Sequence, residues 1–197
     1  VSNLTFRDNL VTNVSYRGLN MQSSDGTVAN NTFINCSKCV ALQSCGARGP
    51  LNLTDNTFTQ PAPLGQDFTY TFGAYARDSK LNISRNDFAL NGFAVYGGYD
   101  SAVTMRDNDL QGSFWGIDGE LSAFTLRDNV INGSKHAFRM YSCELDSSGD
   151  IYTNNVDDVY YEDLWYFEEG GAAFTWCEFG GNDLLSLEDC GFHASNC

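Results

Sequence analysis

Asp118 and Glu120 are the residues of this chain best placed to do chemistry. Hydrolysis of a glycosidic bond wants two carboxylates about 5 to 9.5 Å apart. Asp118 with Glu120 is the best pair for it, and Asp107 with Asp109 is next. Elimination at an acidic sugar would want Ca²⁺ held by carboxylates and an Arg or Lys base, for which Arg139 is available. Tyr96, Trp115, Tyr141 and Trp165 are the candidate glycan-binding side chains, since aromatic faces beside carboxylates and Arg are what a sugar-binding groove uses. A salt bridge flanked by aromatics on an exposed sheet explains the same residues without any ligand.

The elements that position these residues are announced by a recurring phrase. Alternating apolar residues lead to Asn, then one residue, then a large apolar residue. Leu4-Thr5-Phe6-Arg7-Asp8-Asn9-Leu10-Val11 and Val103-Thr104-Met105-Arg106-Asp107-Asn108-Asp109-Leu110 are clear copies, and Ala123 to Ile131 is another. Taking Asn9, Asn31, Asn56, Asn86, Asn108, Asn129, Asn155 and Cys177 as markers, the phrase returns every 21 to 30 residues. A period in the twenties indicates a solenoid. The apolar residues alternate at period two (Leu51/Leu53, Leu81/Ile83, Phe124/Leu126), which is the pattern of a half-buried strand. Leucine-rich repeats would need their own leucine spacing and a helical half, and neither is present.

The phrases Leu53-Thr54-Asp55-Asn56-Thr57-Phe58 and Ile83-Ser84-Arg85-Asn86-Asp87-Phe88 resemble the right-handed parallel β-helix repeat of pectate lyase-like proteins and many surface β-helices. The resemblance covers roughly Leu4 to Phe179. It implies an all-β, right-handed, single-stranded parallel β-helix of about eight coils, three strands per coil and an Asn stack at one inner turn. The whole chain, 1–197, is expected to be one such domain, with irregular closure over about 180–197. The stack would comprise Asn9, Asn31, Asn56, Asn86, Asn108, Asn129 and Asn155. Coils about 4.8 Å apart allow one amide to bond to the next. The motifs of the pectin hydrolases (Asn-Thr-Asp, Asp-Asp, Gly-His-Gly, Arg-Ile-Lys) are absent. Asp157-Asp158 has no such company, and neither His136 nor His193 lies in a Gly-His-Gly.

Aligning the markers makes further columns. Thr5, Thr27, Asn52, Asn82, Thr104 and Thr125 should face solvent, and Arg7, Arg106 and Arg127 with Asp8, Asp55, Asp107 and Asp128 should form a surface charge lattice. About nine positions after the marker, Val95, Ile117, Phe138 and Leu164 should point inward. Outside them would lie Tyr96, Asp118, Arg139 and Trp165, followed by Gly98, Glu120, Tyr141 and Phe167. This alignment sets Asp118 beside Arg139 and stacks Arg139 on Trp165. Thr59 to Lys80 reads as an insertion, and Asp157 to Glu169 as an acidic, aromatic strand pair.

Lys and Arg number 11 against 25 Asp and Glu, a formal net charge of -14. That balance disfavours nucleic acid and anionic membranes as partners, and an acidic substrate would be repelled. No apolar run approaches a membrane span. Seven N-glycosylation sequons stand at Asn3, Asn13, Asn30, Asn35, Asn52, Asn82 and Asn132. With seven Cys and few Lys, they point to an extracellular protein of a eukaryotic secretory pathway. The absence of a signal peptide suggests a mature or excised segment. A local Cys36–Cys39 disulfide is expected, and one bridge among Cys177, Cys190 and Cys197. Cys45 and Cys143 share a column four coils apart, some 19 Å by the repeat spacing, and cannot bridge. No cofactor or resident metal is expected. Ca²⁺ is the ion the acidic stretch could take, but no spacing there matches a defined calcium loop.

Three readings follow. The favoured one is a secreted, N-glycosylated structural β-helix of a coat, appendage or filament, self-associating end to end or contacting neighbouring surface proteins. The alternatives are a polysaccharide lyase or glycoside hydrolase and a non-catalytic glycan-binding module. The missing motifs and the acidic charge weigh against an enzyme.

Overall fold

The computed structural model describes residues 3–60, 71–162, 171–180, 183–188 and 191–197. The alternating phrases become short parallel strands, and no helix occurs among the described residues. One coil shows the plan. Its first strand is Ala102–Arg106, its second Asp109–Gln111 and its third Trp115–Glu120. The next coil repeats them as Ala123–Arg127, Val130–Asn132 and His136–Tyr141. First strands stack into a nine-stranded sheet, and second and third strands form a fourteen-stranded sheet that folds along Thr32–Gln43. Asp183–Glu188 and Gly191–Ser195 pair into the stack, and 181–182 and 189–190 lie outside the described residues.

Period-two alternation sends Val103, Met105, Leu110 and Ile117 into the interior and the residues between them outward. The large residue two places after each marker fills the centre. Phe33 stacks on Phe58 at 5.2 Å and Phe58 on Phe88 at 4.7 Å. The residue just before the marker takes a left-handed conformation, as in Asp8 (φ 60), Asp55 (φ 56), Asp107 (φ 55) and Asp128 (φ 58). Asp and Asn tolerate that region better than other non-Gly residues. The Asp column therefore turns the chain as well as carrying charge.

Each of the three corners has its own polar ladder. At the first, Asn31 donates from N and Nδ2 to Asn56 Oδ1, both at 3.0 Å, and Nδ2 also reaches Phe6 O and Ala29 O. The same pattern links Asn9 to Asn31, Asn56 to Asn86, Asn86 to Asn108 and Asn108 to Asn129. Asn155 is not the next member, contrary to expectation. Asn129 donates instead to Asp150 Oδ1, at 2.6 Å from N and 2.8 Å from Nδ2. Asp150-Ile151-Tyr152 keeps the marker-x-large phrase, whereas Asn155 is followed at that spacing by Asp157. Asn155 belongs to the second corner, where its Oδ1 accepts Ser134 N at 2.9 Å and its Nδ2 donates to Ile131 O at 3.0 Å. The third corner runs Cys45, Ser79, Ser101, Ser122 and Cys143, with backbone N–H groups donating to Ser79, Ser101 and Ser122 Oγ.

The cysteines are a second correction. Cys36, Cys39, Cys45, Cys143, Cys177 and Cys197 are free thiols, and Cys190 lies outside the described residues. Most act as small ladder residues. Cys36, Cys45, Cys143, Cys177 and Cys197 each donate S–H to the carbonyl two residues earlier. Cys36 and Cys39 both lie on Thr32–Gln43 but form no disulfide. The hydrogen bond from Cys39 lowers the Cys36 thiol to about 6. The same bond, together with burial, pushes Cys39 up.

The two insertions also change. Phe72–Arg77 is a regular third strand, paired to Lys38–Gln43 on one side and Phe93–Gly98 on the other. The extra chain before it falls largely in 61–70, outside the described residues. Asp157–Glu162 is one strand of the stack, between His136–Tyr141 and Asp183–Glu188, and the rest of that stretch, 163–169, lies outside the described residues.

Candidate functional site

The third strands bring the sequence candidates together on one outer face. Parallel register sets Tyr96 opposite Asp118 and Asp118 opposite Arg139, as the columns predict. The next partner of Arg139 is Tyr160, not Trp165. That slip follows from Asn155, which counted the last coil from the wrong corner. Trp165, Leu164 and Phe167 lie outside the described residues.

Asp118 is buried, with its side chain 3% exposed, and Arg139 pairs with it in two-pronged fashion. Arg139 Nε donates to Oδ1 at 2.8 Å and Nη2 to Oδ2 at 2.7 Å. Burial pushes the Asp118 carboxyl up, and the guanidinium opposes that shift. Arg139 also lies over the Trp115 ring, 4.4 Å from its centroid, and the expected stacking on Trp165 falls outside the described residues. Tyr96 donates its hydroxyl to Glu120 Oε2 at 2.9 Å, and burial with this bond raises its phenol.

The aromatic rings are ladder members too. Tyr96 stacks on Tyr75 at 4.9 Å, and Lys38 Nζ lies 3.6 Å from the Tyr75 centroid. Phe72 stacks on Phe93 at 4.7 Å. Trp115 stacks on His136 at 4.0 Å, and His136 Nδ1 lies 2.6 Å from Asp157 Oδ2. Burial lowers His136, while Asp157 pulls it back up.

A shallow groove of about 290 Å³ runs between these groups, lined by Tyr96, Asp118, Glu120, Arg139 and Tyr141. Asp118 and Glu120 project from one strand two residues apart, about 6 to 7 Å by strand geometry. That separation fits a carboxylate pair. Both oxygens of Asp118 are nevertheless engaged by Arg139, and Glu120 holds Tyr96. Asp107 and Asp109 flank the first corner and engage local partners, Arg106 at 3.4 Å and Gln111 Nε2 at 2.7 Å. Among the described residues, no group of three or more His, Cys, Asp or Glu could hold a metal ion.

One polar cluster escaped the sequence. Ser147 Oγ donates to Asp150 Oδ2 at 2.7 Å and lies 2.6 Å from Tyr152 OH and 3.1 Å from Cys177 Sγ, all in the interior. Burial pushes the Asp150 carboxyl up against these hydrogen bonds. An inward Ser-x-x-Asp beside a Tyr, in a chain whose other markers are Asn, was the available signal.

The seven sequon asparagines all have exposed or half-exposed side chains. Asn82 Nδ2 donates to Asn52 Oδ1 at 3.1 Å, and Asn35 Nδ2 to Asn13 Oδ1 at 2.8 Å.

No curated protein matches the chain. Among solved structures, it is similar to a trypsin-treated form of QnrB1, a plasmid-mediated fluoroquinolone resistance protein, at 11% identity. The TM-score is 0.29, with 93% of this chain and 90% of that one covered, and a likeness of that size carries no argument. Residues 1–72 match the model of the right-handed β-helix region, and the described residues continue that parallel solenoid to Ser195.

Proposed function

We propose that this chain is a secreted, N-glycosylated structural β-helix of an extracellular coat, appendage or filament, assembling end to end. The supporting observation is how the most reactive-looking face uses its groups. Asp118, Arg139, Glu120, Tyr96, Trp115, His136 and Asp157 all bond or stack along the solenoid axis, so their first effect is to fasten coil to coil. A solenoid of repeated coils can be extended by further coils, and head-to-tail contact of identical copies gives an open filament. The buried thiols Cys36, Cys39, Cys45, Cys143 and Cys177 are shielded from an oxidising exterior, whereas Cys197 is exposed to it. Negative-stain images and light scattering over a concentration series test the assembly, with rods lengthening as concentration rises. Single particles at every concentration would overturn it.

The groove beside Tyr141 favours a second reading, a glycan-binding or glycan-cleaving face. Incubation with plant and algal polysaccharides, with and without Ca²⁺, separates the two. New reducing or unsaturated ends, abolished by Asp118→Asn, would replace the structural reading with an enzymatic one. Retention on a polysaccharide column without cleavage would favour the binding module.

A further inference from the structure

The second corner of the solenoid carries a notch beside one sequon. The corner residues of four successive coils are left-handed: Leu90 (φ 59), Gly112 (φ 62), Gly133 (φ 66) and Asn154 (φ 55). Gly112 and Gly133 bring no side chains; Leu90 Cδ2 leans over Gly112, and a gap opens over Gly133 between Leu90 and Asn154. A Cβ added at Gly133 would meet nothing within 4 Å. Phe114 and Val156 complete the apolar walls, and Lys135 Nζ lies 4.6 Å from the Phe114 centroid. The volume is about 340 Å³, room for one hexosamine.

Asn132-Gly133-Ser134 is a sequon, and Gly133 lines the notch. Asn132 Oδ1 accepts Asn154 Nδ2 at 2.8 Å and Thr153 Oγ1 at 3.4 Å. These bonds orient the amide through a residue of the notch wall and leave Asn132 Nδ2 as its unbonded edge. Asn52 and Asn13 likewise accept through Oδ1, from Asn82 and Asn35 one coil away, so it is the adjoining notch that sets Asn132 apart.

We infer that Asn132 is the sequon at which this fold accommodates an N-glycan, with the first N-acetylglucosamine seated in the notch between Leu90 and Asn154. Its acetyl methyl and apolar ring face lie toward Phe114 and Val156, and its hydroxyls toward Lys135 and Asn154. The inference rests on the secreted, N-glycosylated reading. Transfer joins Nδ2 to sugar C1 and breaks the C1–O bond to a lipid-linked diphosphate donor. The diphosphate leaves with the bonding electrons, and Nδ2 gives up one proton to the transferase.

The test is expression in a secretory eukaryotic cell, followed by site-by-site peptide mass spectrometry. The glycans are then trimmed enzymatically to single N-acetylglucosamines. Asn132 is expected to be occupied, and the trimmed protein should melt above Asn132→Gln made in the same cells. Val156→Glu, at an exposed position, should keep occupancy and lose that difference. Sugar at other sequons but not at Asn132 overturns the inference and leaves the glycoprotein reading standing. No sugar anywhere overturns both. Occupied Asn132 with equal melting temperatures overturns the seat in the notch.

Discussion

The Asn ladder at the first corner and the charged ladder on the third face both tie each coil to the next, with opposite chemistry. Inside, one neutral amide repeats. Each Asn accepts from the coil before and donates to the coil after, so a single residue type serves every rung from Asn9 to Asn129. Outside, the partners change at every coil, from Lys38 over Tyr75, through Tyr96 with Glu120, to Asp118 with Arg139. The interior cannot pair unlike charges without desolvating them, whereas the outer face can carry charge because half of each pair reaches water. Repetition therefore marks the part that must be the same in every coil, and variety marks the part that need only find a neighbour.

That contrast can be broken experimentally. Asn108→Leu should have the largest effect. It leaves Asn86 N without its partner and removes the bond from Asn86 Nδ2, which keeps Leu53 O and Ser84 O, and those of Asn108 Nδ2 to Ile83 O and Asn129 Oδ1. At about 1 to 3 kcal/mol for the unmet buried group and about 1 kcal/mol for each further bond, partly relieved by relaxation, the loss should be about 3 to 5 kcal/mol by urea unfolding. An unchanged unfolding curve would remove the ladder from the account of stability. Arg139→Met should come next, because it leaves the Asp118 carboxylate buried without its partner. Arg139 is itself 25% exposed, so the cost should be about 2 to 3 kcal/mol, below the range for a fully buried pair. Adding Asp118→Asn should restore most of that loss, and a double mutant no better than the single would show that Arg139 acts through packing on Trp115.

Asp150 sharpens the comparison, since it is a charged residue inside the neutral ladder. Burial raises its folded carboxyl above the unfolded value. The folded state then binds the proton more readily, so the stability linked to Asp150 is full below the unfolded carboxylate range. It is lost as pH rises through the folded value. Asp150→Asn escapes that loss. It should melt above the parent at neutral pH, and the gap should close as pH falls into the ordinary carboxylate range. A gap independent of pH would mean that the carboxyl does not titrate between those states. The smallest effect belongs to Arg85→Ala, which removes the exposed 2.8 Å pair with Asp55. Exposed pairs of this kind add little, and the melting temperature should move within experimental error.

Legibility followed the same division. The first ladder could be read from Asn9 to Asn129 because the residue recurs with a large side chain two places on. It failed where Asp150 stands in for Asn and Asn155 offers the expected residue at the wrong corner. The third face could be read as far as Arg139 because the preceding coils are nearly equal in length. Past that point the error at Asn155 moved the column from Tyr160 to Trp165. The cysteines misled for a related reason. Their number suggests disulfides, but their effect depends on whether each points into a corner, and at the corners a thiol can donate to a nearby carbonyl in place of a hydroxyl or amide.

The sequence by itself determined the strands, the parallel stacking, the inward and outward sets and most of the Asn ladder. All of these arise from local periodicity, and alternation and turn chemistry are properties of neighbouring residues. Tertiary structure alone decided what happens between coils. It selected Asp150 over Asn155, placed Arg139 on Trp115, left the described thiols free and opened the notch beside Asn132. Each depends on the register between segments more than twenty residues apart, where a one-residue slip exchanges the two faces of a strand.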